Sequence, residues 1–238
     1  MNNLALIPAR GGSKRIPHKN IKNFLGKPII SYTIQAALDS NLFKEVMVST
    51  DDEEIAEIAR SYGASVPFFR SKDNSDDFAS TIDVIKEVVN EYRLIGQEFD
   101  NICCLYPSAP FITPILLKES FQIMLNNNYD SVLPIIKYGN PTQRSLSKDT
   151  DGKIFYNHPE FEMSRSQDLP KTYYDAGQYY WLKANICLKQ NKLITKNTGC
   201  IIITELEGQD IDNLLDWEIA EIKYAYLQKT KNPNSNIR

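Results

Sequence analysis

Short, almost continuously apolar runs alternate with longer amphipathic segments along this chain of 238 residues. The amphipathic segments repeat apolar residues every three or four positions, which is typical of helices that cover a sheet. The apolar runs have the length of strands that are buried on both faces. They lie at residues 4–7, 45–49, 66–69, 101–106, 131–136 and 199–204.

This alternation predicts an α/β fold with a mostly parallel central sheet and helices on both faces. Helices are predicted at residues 28–38, 82–92 and 115–125, with another between Asp52 and Gly63. Asp51 and Asp52 are expected to cap that second helix. A closing helix is predicted from a stripe of four apolar residues, Leu215, Ile219, Ile222 and Tyr226.

The pattern loosens between residues 137 and 174 into polar residues, turns and short apolar patches. A long irregular insertion inside a compact domain is usually functional or covered by a partner. We therefore predict an α/β domain of residues 1–136 and 175–230, interrupted by an inserted arm at 137–174. Residues 231–238 are expected to form a frayed tail.

Composition narrows the class of protein and of partner. Hydrophobic residues make up 42% of the chain and charged residues 24%, as in ordinary globular proteins. The formal net charge of −3 gives no electrostatic reason to expect nucleic acid or an anionic membrane as a partner. No apolar run approaches the roughly 18 residues of a membrane span, and the start lacks the features of a signal peptide, so a cytoplasmic location is expected.

The cysteines and histidines offer little to a zinc site, because no CxxC spacing occurs and only His18 and His158 are available. We expect the four cysteines to be reduced core residues. They are Cys103, Cys104, Cys187 and Cys200.

The stretch after the first predicted strand combines two glycines, a serine and several cations. Gly11 and Gly12 allow the backbone to bend closely around a ligand, and Ser13 adds a hydroxyl beside exposed amide groups. Such a loop suits a polyphosphate. A surface turn with solvated basic residues is the alternative, because neither the GxxxxGK[ST] nor the GxGxxG spacing is present. The basic residues are Arg10, Lys14, Arg15 and Lys19.

Two acidic residues follow the last predicted strand, at Asp210 and Asp212. In an extended segment their side chains project to the same side and can share a hard cation such as Mg²⁺. Alone this pattern is weak, and a helix cap is the default role for Asp212. Its place opposite a basic loop favours a magnesium site.

The string Ile-Pro-Ala-Arg-Gly-Gly-Ser-Lys at residues 7–14, followed by Pro17, Lys19 and Asn20, resembles the signature of a known family. It is that of the cytidylyltransferases that activate nine-carbon acidic sugars, the CMP-sialic acid synthetase family. The resemblance implies a Rossmann-like nucleotidyltransferase fold, and implies that this loop binds the triphosphate of CTP. The residues concerned are Ala9, Arg10, Gly11, Gly12, Ser13, Lys19 and Asn20.

Two further segments resemble the parts of the family sequence that lie beside the nucleotide base. Arg70 stands where the family has an arginine that contacts cytosine, and residues 77–81 match a segment that opens a helix, which adds Thr81 to the CTP site. Residues 106–111 resemble the family's Gln-Pro-Thr-Ser-Pro-Leu loop. Tyr106 replaces the glutamine, as in the branch that activates pseudaminic acid.

The inserted arm and the segment after it resemble the parts of the family sequence that lie near the sugar. Residues 165–170 resemble the family string Arg-Arg-Gln-Asp-Leu-Pro, and residues 175–181 resemble the pseudaminate form Asp-Ala-Gly-Gln-Phe-Tyr-Trp. A packed strand is the alternative for residues 179–182. The resemblance also implies a homodimer in which each arm covers the partner's sugar site. The implied sugar-binding residues are Arg165, Gln167, Gln178, Tyr179 and Tyr180.

The expected reaction joins CTP and an acidic nine-carbon sugar, with pseudaminic acid favoured, to give the CMP-sugar and pyrophosphate. Arg10, Lys19 and Asp212 are the expected catalytic residues, with Mg²⁺ on Asp210 and Asp212. Legionaminic or sialic acid is the alternative sugar. A glycosyltransferase, or a catalytically silent protein that binds CTP or a CMP-sugar, is the alternative of another class.

Overall fold

The computed structural model describes residues 1–76 and 79–231, and within these ranges a seven-stranded sheet forms the centre of the fold. Two small hairpins lie outside this sheet. The strands are β1 (Asn3–Pro8), β2 (Asn23–Phe24), β3 (Lys27–Pro28), β4 (Glu45–Ser49), β5 (Asn101–Leu105), β6 (Ser131–Lys137), β7 (Leu146–Lys148), β8 (Ile154–Tyr156), β9 (Tyr173–Asp175), β10 (Tyr179–Lys183) and β11 (Thr198–Ile203).

The sheet is mixed but mostly parallel, with the strand order β11-β6-β10-β5-β1-β4. β1 pairs in parallel with β4 and β5, and β6 pairs in parallel with β11. β10 lies antiparallel between β5 and β6, and β9 extends the antiparallel pairing along β6. The predicted fold class is confirmed.

Six helices occur in the described ranges, and they are α1 (Ile29–Ser40), α2 (Glu53–Ser61), α3 (Thr81–Leu94), α4 (Pro114–Asn126), α5 (Ala184–Gln190) and α6 (Leu214–Lys231). The first five cover the two faces of the sheet. The alternation within β1 divides the core, because Ala5 and Ile7 pack under α1, α2 and α4 while Leu4 and Leu6 pack under α3 and α5. Asp52 caps α2 as predicted, and its Oδ1 accepts a 3.1 Å hydrogen bond from the amide of Ile55. The same prediction is wrong for Asp51, whose Oδ1 accepts from the amide of Gly11.

The predicted strand at residues 66–69 is wrong. Only Ser65 forms a bridge to the sheet, to Met47 of β4, and the chain then leaves the sheet edge. Pro67 lies inside the apolar run and has no amide hydrogen to donate to a strand ladder. Phe68 instead packs edge-on against Tyr92 of α3, with ring centroids 5.3 Å apart.

The closing helix is confirmed, but the stripe that predicted it faces mostly outwards. Leu215 and Ile222 are 64% and 70% exposed, whereas Trp217 and Ala220 are buried against Phe24 of β2. α6 carries two apolar stripes, and periodicity alone cannot tell which of them meets the core. Within residues 1–76 and 79–231, no helix is long and apolar enough to cross a membrane.

The inserted segment contains the hairpin of β7 and β8 among several short 3₁₀ turns. Its apolar side chains are unusually exposed, with Ile154 at 67% and Met163 at 92%. The cysteine prediction holds for Cys103, Cys104 and Cys187, which are buried thiols, and is wrong for Cys200, which is exposed on β11.

Candidate active site

An open cleft with a volume of about 280 Å³ lies at the carboxyl ends of the parallel strands. Ligands of open α/β sheets commonly bind at this edge. Because β10 runs antiparallel, the residues that precede it reach the same edge. The cleft is lined by Pro8, Arg10, Ser13, Lys14, Arg15, Ile16, Lys19, Asn20, Tyr106, Pro107, Ser108, Gly177, Gln209, Asp210 and Asp212.

The glycine-containing loop after β1 is held against the start of α2. The amide of Gly11 donates a 2.9 Å hydrogen bond to Oδ1 of Asp51. A Cβ atom at Gly11 would lie 2.5 Å from Oδ2 of Asp52, so a larger residue would collide there. From the other side the buried Asn20 donates from Nδ2 to the carbonyl of Arg10 at 3.0 Å. These contacts fix the shape of the loop.

Two cations of this loop have defined positions at the cleft. Nη1 of Arg10 donates to the carbonyl of Asp76 at 2.6 Å, and Nζ of Lys19 donates to the carbonyl of Ile211 at 2.5 Å. Burial lowers the pKa of the Lys19 ammonium, and the nearby carboxylates of Asp210 and Asp212 oppose that shift. Lys19 therefore joins the basic loop directly to the acidic segment.

The acidic pair lines the cleft opposite the basic loop. Burial raises the pKa of the Asp210 carboxyl and the neighbouring Asp212 raises it further, while Lys19 opposes the shift. Asp212 forms a 2.8 Å ion pair with Nη1 of Arg15, a residue that the sequence analysis counted only among the basic residues of the loop. Asp212 therefore lies close enough to Asp210 to act on its charge.

Asp212 does not cap the closing helix, so that default assignment is wrong. Oδ1 of Asn213 accepts the 3.0 Å hydrogen bond from the amide of Asp216, and Oδ2 of Asp216 accepts from the amides of Asp212 and Asn213. Asn213 is therefore the cap. The side chain of Asp212 is left on the cleft, where it pairs with Arg15.

A magnesium ion fits this acidic pair. Among residues 1–76 and 79–231, no three His, Cys, Asp or Glu side chains form a cluster that could hold a metal ion by themselves. Mg²⁺, however, is usually bound through one or two carboxylates together with substrate phosphates. Two carboxylates that face a basic loop match that requirement.

The residues predicted to bind the cytosine take different positions. Tyr106 lines the cleft, and its hydroxyl lies 3.2 Å from Oγ1 of Thr81 at the start of α3. Arg70 is buried beside β4, where its Nε donates to Oγ of Ser49 at 3.0 Å, and it does not line the cleft. Burial lowers the pKa of its guanidinium, and Asp51 opposes the shift. Residues 77 and 78 of the matched segment lie outside the described residues.

The structure separates the residues predicted to bind the sugar. Gln178 is buried behind the cleft, its side-chain Nε2 donates to the carbonyl of Glu207 at 2.6 Å, and its backbone carbonyl accepts from the amide of Tyr106 at 2.8 Å. Tyr180 packs edge-on against Tyr106, with centroids 5.7 Å apart, and its hydroxyl donates to Oδ2 of Asp175 at 2.5 Å.

Tyr179 lies on the other face of β10, fully buried under α4, where its hydroxyl lies 3.1 Å from Oγ of Ser120. It packs in the core, as the packed-strand alternative expected. Arg165 and Gln167 are exposed on the inserted segment and do not line the cleft of their own chain. Nε of Arg165 lies 2.8 Å from Oδ2 of Asp168.

Sequence reasoning did not assign Gly177 and Gln209 to the site, although both line the cleft. A Cβ atom at Gly177 would lie 3.9 Å from Cγ of Asp210, so the turn before β10 directly adjoins the acidic pair. Both residues are next to residues that were assigned, at Gln178 and Asp210. The only sequence signal that could have indicated Gly177 and Gln209 is that each adjoins an assigned residue.

A family model described as cytidylyltransferase matches residues 4–201. The chain belongs to the cytidylyltransferase family. The predicted class of enzyme, a nucleotidyltransferase, is thereby confirmed. One relative of this cytidylyltransferase, the pseudaminic acid cytidylyltransferase of Campylobacter jejuni serotype O:2, is 39% identical over 224 residues, which cover 94% of this chain and 97% of the relative.

A second relative is the CMP-N,N'-diacetyllegionaminic acid synthase of Legionella pneumophila. It is 33% identical over 231 residues, which cover 93% of this chain and 95% of the relative. Among solved structures, CMP:2-keto-3-deoxy-manno-octonic acid synthetase in complex with CTP has a similar fold, with a TM-score of 0.69 and 17% identity, over 96% of this chain and 100% of that chain. That likeness concerns the fold.

Proposed function

We propose that this cytidylyltransferase converts CTP and pseudaminic acid into CMP-pseudaminic acid and pyrophosphate. The observation that carries the proposal is the cleft where the basic loop after β1 meets the pair Asp210 and Asp212. Cations bind the oxygens of a polyphosphate directly, and one or two carboxylates can hold the Mg²⁺ that accompanies it. The 39% identity to a pseudaminic acid cytidylyltransferase supports the choice of sugar.

The proposed transfer needs charge stabilisation more than a protein nucleophile. The anomeric hydroxyl oxygen of the sugar forms a bond to the α-phosphorus, the bond from that phosphorus to the β-phosphate oxygen breaks, and the hydroxyl proton is released. Arg10 and Lys19 bind the phosphates and stabilise their developing charge. Ser13 and the loop amides orient the triphosphate, and Thr81, whose hydroxyl lies beside the cleft-lining Tyr106, is assigned to the base.

Mg²⁺ is the proposed cofactor, and Asp210 and Asp212 would hold it. When bound, the ion neutralises phosphate charge and acts as a Lewis acid on the phosphoryl group. Lys19 keeps the two carboxylates beside the triphosphate site, because it donates to the backbone of Ile211 between them.

The aromatic and amide groups at the cleft support a sugar that carries N-acyl substituents. Tyr106 lines the cleft, and the buried Tyr180 packs edge-on behind it and donates a hydrogen bond from its hydroxyl to Asp175. The ring of Tyr106 offers an apolar wall for acyl groups, and its hydroxyl is a polar atom at the edge of that wall. Three features of the sequence resemble the pseudaminate branch, namely Tyr106 and the segments 175–181 and 209–217.

Pyrophosphate release tests the reaction and the sugar together. With CTP and Mg²⁺, we expect the purified protein to release pyrophosphate with pseudaminic acid and little with legionaminic or N-acetylneuraminic acid. Preferential release with another sugar would keep the transfer and contradict the choice of sugar. If CTP binds without pyrophosphate release from any of the three, the proposal fails and a silent nucleotide-binding protein replaces it.

We also propose a homodimer held by the inserted arm, whose exposed apolar side chains are typical of an interaction surface. Sedimentation at micromolar concentration should show twice the chain mass. Phe155→Asp in the arm should shift the species to the monomer, because it places a charge in the interface. Leu94→Asp, at a residue that is 80% exposed outside the arm, should leave the dimer intact. A wild-type monomer, or equal effects of both variants, would contradict the proposal.

A further inference from the structure

Lys223 of α6 binds the segment that leads into the acidic pair. Its ammonium donates to the carbonyl of Glu205 at 2.8 Å, to the carbonyl of Gly208 at 3.0 Å and to Oε1 of Gln209 at 2.9 Å. An ammonium has three hydrogens to donate, so these three oxygens account for all of them. Asp210, which lines the cleft, is the next residue of that segment.

The same segment is fixed from the opposite side by the sheet. A Cβ atom at Gly208 would lie 2.6 Å from Cδ1 of Ile136, so the backbone packs directly against β6. Nε2 of the buried Gln178 donates to the carbonyl of Glu207 at 2.6 Å. The segment is therefore clamped between Lys223 on the helix and Gln178 and Ile136 on the sheet.

Lys223 acts on this segment through hydrogen bonds to it. Among the described residues, the charged groups that shift the pKa of Asp210 are Asp212, Lys19, Asp216 and Arg15. Lys223 is not one of them. Partial burial lowers the pKa of Lys223 itself, which is consistent with an ammonium enclosed by the oxygens it binds.

We propose that Lys223 is a positioning residue for the acidic pair, which places Asp210 and Asp212 for the metal through its three hydrogen bonds to residues 205–209. This inference rests on the proposed function. Groups that orient metal ligands without touching the metal typically contribute about 10- to 100-fold to metal affinity. The loss of Lys223 should therefore affect metal binding more than it affects the fold.

The variant for the test is Lys223→Met, which keeps the length of the side chain and removes the donors. Lys229→Met is the matched control, because Lys229 is an exposed lysine of the same helix. Lys223→Arg keeps a cation with several donors and serves as the rescue variant. Thermal unfolding of each variant shows whether the fold is retained.

Two measurements follow, and one of them does not depend on turnover. Hydrogen–deuterium exchange of residues 205–212 should accelerate in Lys223→Met and not in Lys229→Met. In the presence of CTP, the Mn²⁺ concentration for half-maximal binding, measured by electron paramagnetic resonance, should rise about tenfold or more in Lys223→Met. Lys223→Arg should recover most of this loss.

Equal Mn²⁺ binding and equal exchange in Lys223→Met and Lys229→Met would overturn the inference. So would a lowered melting temperature in Lys223→Met with unchanged metal dependence, because that pattern indicates a purely structural lysine. Pyrophosphate release by the wild type is measured in parallel. Its absence would count against the proposed function, whereas its presence with indistinguishable variants would count against the role of Lys223 alone.

Discussion

Lys19→Met should lower the turnover number by about 100-fold or more, the effect of losing one preorganised electrostatic stabiliser. The ammonium of Lys19 lies between the basic loop and the acidic segment, where it donates to the carbonyl of Ile211. Methionine keeps the length of the side chain and removes the charge. Initial rates of pyrophosphate release at saturating CTP and Mg²⁺ measure the effect, with circular dichroism to verify the fold.

Lys44→Met is the control for Lys19→Met. Lys44 is exposed directly before β4, at the amino ends of the parallel strands, whereas the cleft lies at their carboxyl ends. It should leave turnover unchanged. The lowered pKa of Lys19 also predicts that wild-type turnover declines with rising pH earlier than an ordinary lysine would allow, because the charged form is the active one. Near-normal turnover of Lys19→Met would remove this residue from the mechanism.

Asp210→Asn should raise the Mg²⁺ concentration for half-maximal activity by about tenfold or more and should lower maximal turnover. The substitution preserves size and removes the negative charge that a hard cation prefers. A magnesium titration of pyrophosphate release measures the shift. Glu218→Gln, at an exposed residue of α6, is the control and should leave the titration unchanged.

The magnesium requirement of the wild type should also depend on pH. Burial and the Asp212 carboxylate raise the pKa of Asp210, so the proton competes with the metal at a higher pH than at an ordinary aspartate. As pH falls towards that raised pKa, the half-saturating Mg²⁺ concentration should increase. A titration that is the same in Asp210→Asn and the wild type would return Asp210 to a purely structural role.

The local pattern of the chain predicts most of the elements that build the sheet, because strands buried on both faces are almost continuously apolar. β1, β4, β5 and β6 follow that rule, whereas the apolar run of β11 lies at the sheet edge and leaves Cys200 and Ile202 exposed. The run at residues 66–69 is equally apolar, but the ring of Pro67 prevents a regular ladder there. α5 was not predicted, since its seven residues are too few to show a clear period.

The site is less accessible to sequence reasoning, because its residues meet through the topology. The loop with Arg10 and the acidic pair are about 200 positions apart in the sequence. Their sequence motifs nevertheless predicted that they share one site, and both line the same cleft. The buried position of Arg70 and the core position of Tyr179 depend on which face of a strand or loop each occupies. The cap at Asn213, one position beyond the expected Asp212, depends on a single turn of backbone.

β10 is made late in synthesis and yet lies between β5 and β6, which are made much earlier. Until residues 179–183 leave the ribosome, the facing edges of these two strands have no partner, and open edges favour pairing with other chains. The sheet therefore closes through a long-range contact, a step that is slow in folding. Because Gly177, in the turn directly before β10, lines the cleft, nascent chains cannot assemble the complete site before this strand has joined the sheet.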